Sequence, residues 1–498
     1  MALIDKASLL MVPSTYEDGT LYNVLPSGNK APDETGSHNG YDQTRADFTF
    51  SRGSNLAATR VNASGLIEKG RENLLTYSND FSNAAWTKVN ATLTSGQTGY
   101  DGTNNAWKIS SSASGSSQIF MGGSNTNLKT HSIYAKAGSV DVFKIWVGSN
   151  KEFNLSNGTT SSSNSKITDV GNGWFRCEVF DVFSNYNPFF TATTAGDYIY
   201  IQNAQLEQGL VSTPYIETGS TTAQAGILED MPRINYDANG ENGALLLEPQ
   251  RTNSIANSEY TDGSNWSNEG SITDEENTSE TTSPEGLYNA VKLVSANATS
   301  EQWIQTTGVQ TTNATDCTIS CFVKKSDYDY FHIRFTGING AFAAGSVWFN
   351  IAEGSVGTKQ TGILADIKDY GNGWYRISAT KEATATTTAG IRFQLASSDN
   401  DYNVVGDGVK GTYIYGCQAE IGSHVSSYVP TYGSAATRGA DSCSVTGVSD
   451  VIGQSEGTIY GEIDFQQTES AARFIAIGDG TANNRISIFT NSSNNVLI

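Results

Sequence analysis

The chain is expected to be all-β: tandem β-sandwich domains of the jelly-roll kind behind a separate N-terminal region. Three observations carry this expectation. Gly171-Asn-Gly-Trp174 recurs as Gly371-Asn-Gly-Trp374, in the wider settings Val170 to Arg176 and Tyr370 to Arg376. A spacing that long marks a copied domain rather than a solenoid repeat. Apolar residues alternate with period 2 in short segments split by Gly, Asn and Asp, and no helical period is sustained. Finally, only 16% of the 498 residues are charged and 50 are Gly, while aromatics hold at 10%. That composition suits a turn-rich β protein and not a disordered one.

In chain order, residues 1–70 form the N-terminal region. It holds a strand over Ala7 to Val12, a loop over Pro32 to Asp42, and β-like Phe48-Thr-Phe50. Ala58-Thr-Arg-Val61, a turn at Asn62 to Gly65 and Leu66-Ile-Glu68 make a hairpin. Sandwich one occupies 71–226. A second hairpin (Arg233 to Tyr236 with Ala244 to Glu248) fills the connector 227–250, and sandwich two occupies 251–441. The copies align through Trp86 with Trp266, Ala106 to Ile109 with Ala290 to Leu293, and Gln118 to Phe120 with Gln302 to Ile304. Further on, Ser132 to Lys136 matches Ser320 to Lys324, and Phe153 to Leu155 matches Phe349 to Ile351. Tyr198 and Tyr200 then pair with Tyr413 and Tyr415, and Ala204 to Leu206 with Ala419 to Ile421.

Residues 442–498 change character. Strands are expected over Gly457 to Phe465, Arg473 to Ile477 and Arg485 to Phe489, with a hairpin at Asp479-Gly480. So short a segment cannot close two sheets. Either another chain completes it or the native protein is longer.

The net charge of −21 disfavours nucleic acid and anionic membranes as partners. The N-terminus is a poor signal peptide and no stretch reaches the roughly 20 apolar residues of a membrane span, so no membrane insertion is expected. Five scattered cysteines make no disulfide scaffold. Cys177 stands where the other copy has Ile377, and Cys321 where it has Ile133, as buried thiols would. The run Asp274-Glu275-Glu276, with Glu269 and Glu280 near, admits a structural Ca²⁺, but it lacks calcium-loop spacing and reads as a solvated loop. No other cofactor is implied.

Several segments are similar to tailed-phage virion proteins: Met1 to Ser8, Ala58-Thr-Arg-Val61, Asn73 to Trp86, Gly171 to Arg176, Ala204 to Glu207 and Gly433 to Arg438. The resemblance implies carbohydrate-binding-module-like jelly rolls in a tail or head fibre. It also implies attachment to other virion proteins through residues 1–70, a host-surface glycan as ligand, assembly as a homotrimer, and a place on the phage particle surface after assembly in the host cytoplasm. Residues 442–498 resemble the opening strands of a concanavalin/laminin-G-like lectin domain. A purely structural capsid or tail decoration protein is one alternative, and a polysaccharide-degrading tailspike another.

No catalytic constellation stands out. No Gly-x-Ser-x-Gly elbow has a histidine partner, and His38, His131, His332 and His424 are scattered. The chain is therefore expected not to be an enzyme. The shared tryptophans Trp174 and Trp374 read as framework. Glycan contacts are sought instead where the copies differ. Asp141 to Val147 is matched to Tyr330 to Thr336. On that match Val142, Lys144 and Trp146 face the core with Phe331, Ile333 and Phe335. Phe143, His332 and Arg334 then lie on the open face, where a lectin stacks and hydrogen-bonds a sugar. Trp348 beside Phe349 and Trp303 beside Ile304 join them by alternation. The alternative for each is burial against another domain or subunit.

Overall fold

The structure is a computed structural model. It describes residues 10–17, 20–24, 48–53, 56–123, 127–183, 185–261, 263, 265–448, 455–459, 461, 463, 473–481, 483–490 and 496–497. These fall into two compact units divided between Thr446 and Gly447.

The first unit holds two β-sandwiches of one topology. Sandwich one comprises β1 (Thr87–Val89), β2 (Ala91–Gln97), β3 (Ala106–Ser111), β4 (Gly115–Phe120), β5 (Leu128–Ala137), β6 (Val142–Trp146), β7 (Asn150–Asn154), β8 (Thr159–Thr160), β9 (Ser165–Gly171), β10 (Trp174–Val182), β11 (Pro188–Ala192) and β12 (Tyr198–Gln208). Its sheets run β8-β7-β6-β11-β4-β1 and β9-β10-β5-β12-β3-β2, antiparallel throughout. Sandwich two comprises β13 (Trp266–Glu269), β14 (Thr273–Glu275), β15 (Val291–Val294), β16 (Trp303–Thr311), β17 (Asp316–Lys325), β18 (Tyr330–Phe335), β19 (Gly345–Asn350), β20 (Ser355–Lys359), β21 (Leu364–Asp369), β22 (Trp374–Glu382), β23 (Thr387–Ala396) and β24 (Gly411–Ile421). Its sheets run β20-β19-β18-β23-β16-β13 and β21-β22-β17-β24-β15-β14. Adding twelve to each label of the first copy reproduces the second, so the expected all-β tandem sandwich is what the chain forms.

The Gly-Asn-Gly-Trp segments are hairpin turns, β9 to β10 and β21 to β22. Asn172 and Gly173 sit at φ 56° and 76°, and Asn372 and Gly373 at 53° and 78°. Two successive positive φ values define the turn whose twist suits a hairpin, and Asn-Gly adopts them at least cost. Trp174 and Trp374 follow the turns and are fully buried. They are framework, as expected.

The cysteine–isoleucine exchange has a direct cause. Ile133 lies opposite Cys177 on β5 and β10, and Cys321 lies opposite Ile377 on β17 and β22. Each pair holds one large and one small residue in opposite order, so core volume is kept. All five cysteines are free thiols.

Three matches between the copies need correction. Phe143 and Phe331 both pair with the framework phenylalanines, Phe153 and Phe349. The equivalent of His332 is therefore Lys144, one residue on. Likewise Ile119 matches Ile304, and Gln118 matches Trp303, through their partners Phe189 and Gln394. In the last strand Tyr200 matches Tyr413, and Gln205-Leu-Glu207 matches Gln418-Ala-Glu420. In a strand a one-residue slip exchanges the two faces. Lys144 and Trp146 thus point away from the core, which removes the awkwardness of a buried lysine.

A polar clasp closes each sandwich. Asn73 donates to the carbonyls of Ala204 and Ile216 and accepts from the amides of Leu75 and Leu206. Asn253 does the same with Cys417, Val429, Ile255 and Ala419. Gln205 and Gln418 each bond the neighbouring glutamate and the returning tail. The Ser78 hydroxyl meets Tyr215, and that of Ser258 meets Tyr428, at 2.6 Å each.

Both expected hairpins form, Thr59–Val61 with Ile67–Lys69 and Arg233–Asn235 with Ala244–Leu246. They are tied to sandwich two by buried ions. Lys69 bridges Glu259 and Glu285 at 2.8 Å each. Arg233 and Arg438 share Glu248. Burial alone would raise the Glu248 carboxyl, but the two guanidiniums hold it down at about 2. Leu10–Glu17, Thr20–Val24, Phe48–Ser51 and Ser442–Ser444 form one further sheet, so the chain leaving sandwich two returns to the N-terminal region. Of the strand expected over Ala7 to Val12, the part from Leu10 is described and lies in Leu10–Glu17, while Ala7 to Leu9 and the loop over 32–42 lie outside the described residues.

The second unit shows Arg473–Gly478, Arg485–Thr490 and Val496–Leu497 as one antiparallel sheet, with the expected turn at Asp479-Gly480. The strand expected over Gly457 to Phe465 falls largely outside the described residues.

Removing a clasp asparagine leaves four backbone groups without their partner, all buried around Asn253 and three of them buried around Asn73. Asn253→Ala is expected to destabilise sandwich two by about 3 kcal/mol or more, and Asn73→Ala sandwich one likewise. Scanning calorimetry would show the drop, and unchanged transitions would refute the role of the clasp.

Candidate functional site

Alternation along β16, β18, β19 and β23 puts Ile304, Ile333, Val347 and Phe393 in the core and their neighbours on the outer face. Register then aligns those neighbours into two cross-strand rows. One reads Trp348, His332, Gln394, Trp303 across β19, β18, β23 and β16; the other reads Ser346, Arg334, Arg392, Gln305. Four of the five sequence-derived candidates, Trp348, Trp303, His332 and Arg334, thus meet on one face.

The fifth does not. Phe143 belongs to the core of sandwich one, fully buried against Phe153 and Phe190. This follows from the one-residue slip. The outer face there presents Lys144, paired with Glu152 at 2.6 Å, and Trp146, edge-on to Phe183.

Long connections cover part of the face in sandwich two. Where sandwich one joins β3 to β4 through residues 112–114, sandwich two uses 295–302. Where it joins β11 to β12 through 193–197, sandwich two uses 397–410. The extra chain pairs with itself as Thr299–Ser300 against Val404–Val405. It is pinned down by Trp348 Nε1, which donates to the Asp401 carbonyl at 2.9 Å. Asp399 accepts from the amide and hydroxyl of Thr358, and Gln360 Nε2 donates to the Tyr402 hydroxyl at 2.9 Å.

Trp348 and His332 are consequently fully buried. Their rings stack at 4.3 Å, and Tyr402 stands edge-on to both, at 4.9 and 5.3 Å. The second row lies at the border of this cover. Arg334 sits 5.1 Å from the Tyr402 ring, and Arg392 lies 3.8 Å over Trp303. Both guanidiniums reach one oxygen of Glu301, at 3.2 and 3.6 Å, and Arg392 Nε donates to Gln305 at 3.0 Å. All three charged side chains remain partly exposed.

The face leaves polar atoms unspent. Both His332 nitrogens, Gln394 Oε1 and Ser346 Oγ are buried without a hydrogen-bond partner. Burial, then Arg334 and Arg392, hold the His332 imidazole down at about 3. The aromatic rings, planar amides and guanidinium forks suit stacking and bidentate bonding of a polyhydroxylated ligand.

Among the described residues no three His, Cys, Asp or Glu side chains converge to hold a metal. Of the carboxylates in the acidic run and near it, three are bonded locally: Asp274 and Glu276 accept from Thr261, and Glu280 from Lys292.

Sequence reading missed Tyr402, Arg392, Gln394, Gln305 and Glu301. The alternation Ile391-Arg-Phe-Gln-Leu395 was a signal for Arg392 and Gln394. The longer connections of copy two were a signal for Tyr402 and Glu301.

No family model matches the chain, and no curated protein matches it. Among solved structures it is similar to a tandem CBM22 domain pair from Paenibacillus barcinonensis, at 11% identity and TM-score 0.22, over 74% of this chain and 100% of that one. It is also similar to tandem CBM51 modules of a family 98 glycoside hydrolase from Streptococcus pneumoniae SP3-BS71, at 13% identity and TM-score 0.17, over 75% and 99%. At such scores neither carries an argument about the ligand of this chain.

His332 is neutral when folded and titrates near its ordinary 6.5 when unfolded. The unfolded chain therefore takes up the proton first, and stability falls as pH drops from about 6.5 towards 3. His332→Phe is expected to lessen the slope of that part of a melting-temperature profile, the buried His131, also held down at about 3, keeping the remainder. An unchanged slope would contradict the buried, neutral imidazole.

Proposed function

We propose that this protein is a non-catalytic virion appendage, a tail or head fibre, that presents glycan-binding β-sandwiches to a host surface. One observation carries the binding reading: the outer face of sandwich two gathers Trp303, Tyr402, Arg334 and Arg392 beside unspent polar atoms. Tyr402 and the two arginines contact the sugar, and Trp303, buried beneath Arg392, backs its guanidinium. Trp348 and His332 act beneath them, holding Tyr402 in place. Attachment to other virion proteins through residues 1–70 and homotrimeric assembly complete the proposal, and rest on the sequence resemblance alone. Trimeric display would multiply weak contacts. A purely structural decoration role is the competing reading, and the full burial of Trp348 favours it.

Purified protein is expected to give signals on a glycan array. Tyr402→Ala, which removes the half-buried ring that stands edge-on to Trp348 and His332, is expected to weaken them about tenfold. An array silent for the wild type, or indifferent to Tyr402, would favour the structural role. Loss of host-polysaccharide viscosity on incubation would instead reveal a degrading spike.

A further inference from the structure

Arg334 and Arg392 lie directly opposite each other on β18 and β23. Like charges in that position repel, so the arrangement costs stability unless an anion joins them. The anion in this chain is Glu301, and it joins them poorly. A single oxygen is shared, at 3.2 and 3.6 Å, by a side chain that is 40% exposed. A guanidinium has five N–H donors. Arg334 spends one on Glu301; Arg392 spends one on Gln305 and reaches Glu301 at the longer distance. The rest are free to form planar, two-pronged bonds. Glu269, on β13 beside Trp303, is the other acidic group acting on Arg392, and it makes no bond to it. Ser346 Oγ, buried and unpartnered, stands opposite Arg334 in the same row.

We propose that Arg334 and Arg392 form a subsite for the carboxylate of an acidic sugar of the hexuronate class, and that Glu301 occupies this place in the free protein. The inference rests on the glycan-binding reading above. On binding, the sugar carboxylate takes the guanidinium forks and Glu301 turns to solvent. Tyr402 flanks the sugar ring, Trp303 stays buried beneath Arg392, and Ser346 gains a partner. A protein of charge −21 repels an acidic polymer at long range, but salt screens that repulsion within about 8 Å. The paired forks act at contact, where the carboxylate geometry matches them.

The test uses the full chain and matched pairs of uronate oligosaccharides and their carboxyl-reduced forms, with binding measured by calorimetry. The acidic form is expected to bind about tenfold tighter than the reduced form. Arg392→Gln is expected to weaken uronate binding far more than binding of the reduced form, so that the preference is lost. Glu301→Gln, by removing the competing carboxylate, is expected to tighten uronate binding several-fold. A misfolded variant cannot produce that gain. Equal binding of both forms, still weakened by Tyr402→Ala, would overturn the acidic subsite and leave glycan binding standing. Failure to bind either form would overturn both. Sulfated oligosaccharides bound as tightly as uronates would overturn the carboxylate assignment.

Discussion

Each sandwich depends on one buried asparagine whose four hydrogen-bonding positions are all spent on backbone. Asn73 and Asn253 join three separate stretches: the entering segment, the last long strand and the tail that follows it. A buried amide is tolerated only when satisfied, and a fully satisfied one specifies a single geometry. The neighbouring Gln-x-Glu pair extends the arrangement. Gln205 and Gln418 receive the tail amides of Ile216 and Val429, while Glu207 and Glu420 receive those of Thr213 and Ser426. With the ends pinned in this way, the sheet between them is free to vary in what it presents outward.

That freedom explains how two copies of one topology carry different faces. The cores trade residues conservatively, as Ile133 with Cys177 against Cys321 with Ile377 shows. The outer faces do not. In sandwich one a Lys144–Glu152 pair and Trp146 occupy positions where sandwich two has His332, Trp348 and Arg334. Longer connections then bury the first row of sandwich two and leave the second at the rim. The buried row is rigid, because Trp348 is stacked on one side and hydrogen-bonded to the covering loop on the other. Rigid support beneath the partly exposed Tyr402 ring and guanidiniums is the arrangement a binding face needs, since side chains already ordered lose less entropy when a ligand arrives.

The junction between the sandwiches works by other means. Lys69 with Glu259 and Glu285, and Arg233 and Arg438 with Glu248, are buried ion pairs. Buried pairs contribute little net stability but are costly to break one partner at a time. They fix how the connecting hairpins meet sandwich two.

The sequence by itself determined the all-β class, the two copies, both hairpins and the framework role of Trp174 and Trp374. Each of these rests on local physics, namely period-2 burial, turn residues that accept positive φ, and repetition. It also placed Trp348 and Trp303 on the strand face opposite the core residues Phe349 and Ile304, but not their burial on that face. Tertiary structure decided the rest. Only cross-strand register could show that Phe143 is core and Lys144 is not, since one residue of slip reverses a strand and a loosely matched pair of copies does not fix it. Only the folded connections could bring Glu301 and Tyr402 onto rows built from β16, β18, β19 and β23. Residues that meet across strands are separated along the chain by loops whose paths no local pattern encodes.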